Sequence, residues 1–305
     1  EGKDLDKMSD IDFHKTVLSG INIIARISAF HKLRILEVLK EHFRVAMTGD
    51  GVNDVLAIKK ADVGIAMELR GTDVAKETSD IILLDDNFAS IPLAIKEGRR
   101  IFDNIQKFIN FLFISNIAEV LVLFISILFF TFKEPILLPI QILWINLLTD
   151  GLPALAIGID PEKPNVMKRP PRKQNDPIIN KSVGWTIFSI GIMKTIILLI
   201  TFFLILPHGY ENARTALFTG FILYEFVVIA SIRNNDKLGL FSNKWLITAL
   251  ITTILIHGVI IYTPLNSFFY TVPLGIYEWK ILLGGLVIGI ISSLGITNFI
   301  QKKII

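Results

Sequence analysis

The chain has no cysteine in its 305 residues, which excludes disulfides and thiolate metal ligands and leaves the redox compartment open. It also lacks a strong charge of either sign. The 31 Lys and Arg against 28 Asp and Glu leave a formal +3, which gives no support to a nucleic-acid partner. No internal repeat and no disordered tract stand out. The opening residues Glu1-Gly2-Lys3-Asp4 resemble neither a start methionine nor a signal peptide, so the expectation is that the natural chain starts earlier. What is abundant is apolar surface: 52% hydrophobic residues, 22 of them Phe, and a mean hydropathy of +0.57, more than an ordinary soluble chain carries. This predicts an integral membrane protein with a soluble head.

In the head, 21–25 and 45–47 read as short buried strands separated by a helix over 29–41, with Leu33, Leu36 and Leu39 at helical spacing. The pattern continues with a helix over 54–61 and strands at 63–67 and 81–84. Strands alternating with helices predict a parallel sheet covered on both faces, an α/β domain over residues 1–87. Ligands bind beyond the carboxyl ends of such strands, where Thr48, Gly49, Asp50, Asn53 and Asp54 fall. Thr-Gly-Asp-Gly alone is a common turn. With Asn53 and Asp54 added, it predicts a site for Mg²⁺ and phosphoryl chemistry. Lys32 supplies an ammonium suited to a transferred phosphoryl group, though spacing alone equally fits a solvated lysine at a helix start.

From residue 88 the pattern turns helical, amphipathic to 107 and almost wholly apolar to 132. One helix of about 45 residues runs near 68 Å, enough to cross the hydrocarbon core and stand above it as a stalk. Further spans are predicted in 133–305 at about 136–158, 183–206, 214–232, 245–263 and 277–300, six crossings in all. Lys163, Lys168, Arg169, Arg172, Lys173 and Lys181 lie in loop 159–182, and Arg233, Lys237 and Lys244 in loop 233–244, whereas the opposite connections hold only Lys133. The positive-inside rule then makes the head, both loops and the C-terminus cytoplasmic. The proline-rich run from Pro161 to Pro177 is a stiff connector near the foot of the stalk.

Polar residues in these spans are expensive in lipid and therefore informative. Asn116 and Glu119 stand three apart in the first span, and Asn146, Thr149 and Asp150 at i, i+3 and i+4 in the second, so each set projects from one helical face. Gly151 and Pro153 would loosen the helix and free backbone carbonyls. Glu225 in the fourth span is a third acid. Carboxylate, amide and hydroxyl oxygens without His or Cys suit a hard cation such as Ca²⁺. Set against this, a single Asn or Thr is commonly interhelical glue. Lys194 reads as snorkelling or a structural pairing, and His257 as helix packing. Of the four tryptophans, Trp185, Trp245 and Trp279 fall near span ends, and Trp144 lies deeper.

Taken together, the segments ARISAFHK at 25–32, MTGDGVND at 47–54, DDNFASI at 85–91, SNIAE at 115–119, NLLTDGLPA at 146–154 and RPP at 169–171 resemble the C-terminal third of a P-type cation-transporting ATPase. The resemblance is nearest to calcium pumps of the sarco/endoplasmic-reticulum type. It implies the C-terminal part of a haloacid-dehalogenase-like phosphorylation domain followed by a six-helix transmembrane bundle. It further implies that Asp50 binds Mg²⁺, that Asn53 and Asp54 order the phosphorylation loop, and that Lys32 contacts the phosphoryl group. Asn116, Glu119, Thr149, Asp150 and Glu225 match ligands of one calcium site, and Asn146 with Asp150 match ligands of another, a set that implies two ions per cycle and proton counter-transport. Lys194 lies outside that pattern.

The Asp-Lys-Thr-Gly-Thr motif, which in the resembling pumps carries the phosphorylated aspartate, is absent from these 305 residues. So are the nucleotide-binding domain, which binds most of the ATP, and the Thr-Gly-Glu-Ser loop. The resemblance therefore implies a fragment or one half of a split pump, inactive alone and partnered by the missing N-terminal portion. Two other readings stay open at this point: a pump for Mn²⁺ or Na⁺, and a non-catalytic cation-binding membrane partner or relic.

Overall fold

The computed structural model describes residues 1–130, 132, 134–172, 176–239 and 241–304; Lys133 and Lys173 of the charge argument lie outside the described residues. The chain forms two units, Glu1–Ile95 and Lys96–Ile305.

The first unit opens with three helices, α1 (Gly2–Leu5), α2 (Asp10–Leu18) and α3 (Ala29–His42). Ser9 starts α2 by accepting the Asp12 amide, and Ser28 starts α3 by accepting the His31 amide, each satisfying a donor the helix leaves unpaired. Leu5, Phe13, Val17 and Val38 pack between them. Three parallel strands follow, β1 (Ala46–Gly49), β2 (Val63–Met67) and β3 (Ile81–Leu83), in the order β1-β2-β3. They are joined by α4 (Val55–Lys60) and α5 (Asp73–Thr78). Strand alternation splits β2 between two cores: Ala66 packs with Ile58 and Ala75, while Ile65 and Met67 pack with Leu83. At the entry to β1, the Asp62 carboxylate accepts the Val45 amide at 3.0 Å and Arg44 at 2.8 Å. Burial pushes Asp62 up, but the Val45 amide, Arg44 and Lys40 outweigh it and hold the group below its ordinary carboxylate value.

Segment 21–25 is not a strand. It has no ladder partner, and Ile21 and Ile23 are exposed; Ile24 alone turns into the core beside α2 and α3. An apolar run of strand composition has no strand to become where no neighbouring edge offers backbone partners.

Among the described residues, six helical stretches are long and apolar enough to cross a membrane: Ser90–Phe129, Pro139–Gly158, Lys181–His208, Tyr210–Asn235, Lys244–Tyr262 and Ile276–Lys303. The first, α6, has 40 residues, about 60 Å of helix. The second consists of α7 (Pro139–Trp144), a widened stretch Ile145–Thr149, and α8 (Gly151–Gly158). The third is built on α9 (Lys181–Ile205). The fourth is α10 (Tyr210–Leu223) and α11 (Glu225–Asn235), hinged at Tyr224. The fifth is α12 (Lys244–Tyr262), and after the short α13 (Asn266–Phe269) comes α14 (Ile276–Ile304).

The fourth span is the most enclosed and the sixth the least, so α10 and α11 run through the middle of the packing. Leu217, Phe218 and Phe221 meet Leu198 and Phe202 of α9 and Leu282 of α14 there. The proline-rich loop is tied to α6 by side chains. Arg99 donates to the carbonyls of Val166 and Arg169, and Arg169 pairs with Asp103 at 2.9 Å. Asp160 is completely buried and pairs with Lys107 of α6 at 2.9 Å, with Arg233 of α11, and with the Asn243 amide at 2.9 Å.

Candidate functional site

In the head, the loop leaving β1 presents Asp50 and Asn53 to solvent, while Asp54 turns inward and is buried. Gly49 makes that turn sterically open: a Cβ on it would lie 2.4 Å from the Asp54 Cβ. The Asp50 carbonyl accepts the Thr72 amide at 2.9 Å, and the Asp54 amide donates to Gly51 at 3.0 Å, so the backbone of the loop is anchored while the Asp50 side chain stays free to meet a ligand. Lys32, half-buried on α3, is ion-paired with Asp54, which rules out the reading as a merely solvated lysine. The loop therefore presents one exposed carboxylate, a donor type suited to hard cations, and holds an ammonium against its inward Asp54.

In the membrane unit, the buried stripe of α6 runs through Phe111, Ile114, Ser115, Ala118, Glu119 and Val122. Asn116 is exposed: one residue on from Ser115 is a 100° rotation, enough to leave the stripe. The Asn146 amide nitrogen lies 3.1 and 2.9 Å from the two Glu119 oxygens and also donates to the Ile142 carbonyl at 3.1 Å, joining the first span to the second although Asn146 itself is largely exposed.

The second span is loosened where Gly151 and Pro153 predict it. The Asp150 amide donates to Ile145, five residues back, at 2.9 Å, so it passes over Asn146. Pro153 has no N–H to offer the Thr149 carbonyl. Such widened turns gather at functional sites in helices. The Thr149 hydroxyl donates to Ile145 at 2.9 Å, which leaves its oxygen lone pairs as acceptors. Asp150 is 1% exposed, and neither of its carboxyl oxygens has a hydrogen-bond partner.

Glu225 lies just past the Tyr224 hinge. That hinge is held by the Tyr224 hydroxyl against Thr201 at 3.0 Å and the Leu282 carbonyl at 3.4 Å. Glu225 is buried and ion-paired with Lys194, and Ser115 Oγ lies 2.9 and 3.1 Å from its two oxygens.

The structure thus gathers Glu119 with Asn146, and Glu225 with Lys194 and Ser115, and leaves Asn116 off the buried face. Ser115 carries no expectation in the sequence, and of the two readings of Lys194 the structural pairing holds, with Glu225 as its partner. A serine one residue before the expected Asn116 carries no signal of its own, and a buried lysine announces a partner without naming it. His257 is a packing residue, edge-on to Phe218 and hydrogen-bonded to Thr219 at 3.0 Å. Trp144 packs edge-on against Phe269.

Among known proteins, the family described as cation transporting ATPase, C-terminus, matches residues 134–304. A calcium-transporting ATPase of Bacillus subtilis is 40% identical over 292 residues, covering 93% of this chain and 32% of that protein. Calcium-transporting ATPase 1 of Saccharomyces cerevisiae is 38% identical over 295 residues, covering 92% and 30%. Calcium-transporting ATPase type 2C member 1 of Pongo abelii is 36% identical over 314 residues, covering 99% and 33%. The chain therefore spans about a third of the length of the curated relatives it matches.

Proposed function

The chain belongs to the cation-transporting ATPase family, to whose C-terminal region residues 134–304 correspond, and from that premise we propose that it supplies the ion path and part of the phosphoryl-transfer head of a calcium pump. The observation that carries the reading is Asp150, a fully enclosed carboxyl with no hydrogen-bond donor on either oxygen. A buried polar group without a partner is costly, and a bound cation removes that cost. Around it, Glu119, Asn146, Thr149 and the carbonyls released by the widened helix provide hard oxygens, the donors that Ca²⁺ takes and Zn²⁺ or Cu⁺ do not need. The relatives named as calcium-transporting support Ca²⁺ over Mn²⁺ or Na⁺. The NLLTDGLPA segment resembles the calcium-like branch of these pumps.

The head is read as the C-terminal part of a haloacid-dehalogenase-like phosphorylation domain, supported by its parallel sheet and by Asp50 just beyond the end of β1. Asp50 fits Mg²⁺, which keeps most of its waters and needs only one or two carboxylates; when bound, the ion would neutralise charge on the transferring phosphoryl group. Lys32 is held toward the loop by Asp54, and its ammonium is the group that would meet a phosphoryl oxygen. The phosphorylated aspartate, with most of the ATP site, would come from sequence other than these 305 residues. The basic loops 159–182 and 233–244, the head and the C-terminus face the cytoplasm by charge bias. Calcium then enters from that side, and protons return in exchange.

ATP-driven uptake of radiolabelled Ca²⁺ into vesicles carrying the assembled pump tests this reading. Uptake that requires Mg²⁺ and ATP, and that excess Na⁺ does not suppress, is the expected result. Calcium binding without uptake would identify a non-catalytic partner instead, and uptake of Na⁺ alone would overturn the ion assignment.

A further inference from the structure

The buried acids of the membrane unit form one cluster, in which Asp150 lies beside Glu225 and near Glu119, but their partners differ. Asp150 has no hydrogen-bond donor on either oxygen, and Glu119 receives the neutral Asn146 amide. Glu225 faces Lys194, a residue 1% exposed, whose ammonium contacts the Glu225 carboxylate and lies 3.5 Å from Ser115 Oγ. An ammonium is close in size to a desolvated metal cation and seeks the same oxygens, so the group beside Glu225 is chemically a cation on a tether. We propose that Lys194 permanently occupies the cation place at Glu225, so that the pump carries one Ca²⁺ per cycle, bound on the side of Asp150 that faces Glu119 and Asn146.

Three features support this assignment. Glu225 Oε1 accepts from Lys194, and one Ser115 hydroxyl is shared between its two oxygens, so a divalent ion taking both oxygens would have to break the ion pair in a low-dielectric interior, where breaking it is expensive. A second divalent ion beside Glu225 would also lie within a few ångströms of a fixed positive charge, and like charges repel most strongly where water is excluded. Packing delivers the ammonium to this point. Gly191, one turn before Lys194, carries no side chain where a Cβ would come within 3.0 Å of Ile117 Cγ2, so α9 lies close against α6. The result departs from the two ions that the full ligand set implies, because that set was read without the lysine.

The inference rests on the calcium-pump reading, and the two can fail separately. In the assembled pump, the Ca²⁺ bound at saturation is counted with radiolabelled calcium per site phosphorylated by ATP, in the wild type and in Lys194→Met. One ion per site in the wild type, with non-cooperative activation by calcium, supports the proposal; two ions per site overturns it while leaving the calcium-pump reading intact. The wild-type count stands even where the Met variant does not assemble. Where it does, a rise toward two ions, with activation becoming cooperative, is expected. An unchanged count of one in an active Lys194→Met pump would show that the ammonium does not set the number and would overturn its assigned role. No calcium-dependent phosphorylation in the wild type would be the separate failure of the pump reading.

Discussion

At the scale of single residues, the head site depends on a missing side chain as much as on those present. Gly49 admits the inward turn of Asp54, and a methyl group there would meet the Asp54 Cβ at 2.4 Å and its carboxyl at 3.0 Å. Gly49→Ala is expected to cost about 1–3 kcal/mol by overpacking and to displace Asp54 from Lys32. Hydrogen exchange should show faster exchange at the β1 amides, and unchanged protection there would contradict the packing argument. The sequence made the loop residues legible because Gly-Asp-Gly-Val-Asn-Asp is a compact local pattern. It did not make the Lys32–Asp54 pair legible, since 22 positions separate the two and only the fold brings them together. Asn116 illustrates the converse. Spacing places it near Glu119, but the stripe that α6 buries is decided by its neighbours, and Ser115 takes the inward position.

At the scale of elements, the second span is the most instructive because its irregularity follows from two residues. Gly151 and Pro153 weaken the continuation of the helix, and the Asp150 amide reaches back to Ile145 instead of Asn146. Pro153→Ala restores an N–H for the Thr149 carbonyl and removes a poor helix former, so the helix should become more regular and the ion path poorer in free oxygens. The calcium concentration for half-maximal activation of the assembled pump should rise about tenfold, equivalent to about 1.4 kcal/mol; an unchanged or lower value would contradict a role for the loosened turn. The long apolar helices were legible from composition, since about 20 apolar residues leave little alternative to a span. Segment 21–25 has strand composition without forming a strand, because strand formation needs a partner edge and composition does not supply one.

At the scale of the whole molecule, the expected architecture of a small parallel sheet and six apolar helices is present, and long-range polar contacts fix how the helices meet. Asp160 was an unremarked loop residue in the sequence, yet it joins Lys107, Arg233 and Asn243 from three separate spans or their ends. Asp160→Asn would leave Lys107 and Arg233 under-compensated in a buried setting, a change expected to cost about 3–5 kcal/mol. The chain in detergent should unfold several degrees lower, and an unshifted midpoint would show the cluster to be solvated. Such networks escape sequence reading because their members are far apart and each alone looks like an ordinary loop charge.

The central claim concerns Asp150, the enclosed carboxyl that no hydrogen bond satisfies. Phosphorylation of the assembled pump by ATP, measured with and without Ca²⁺ in the wild type and in Asp150→Asn, tests it most directly. The account predicts calcium-dependent phosphoenzyme in the wild type and its loss in the variant, with the variant protein still inserted and folded. Full calcium-dependent phosphoenzyme in Asp150→Asn would contradict it.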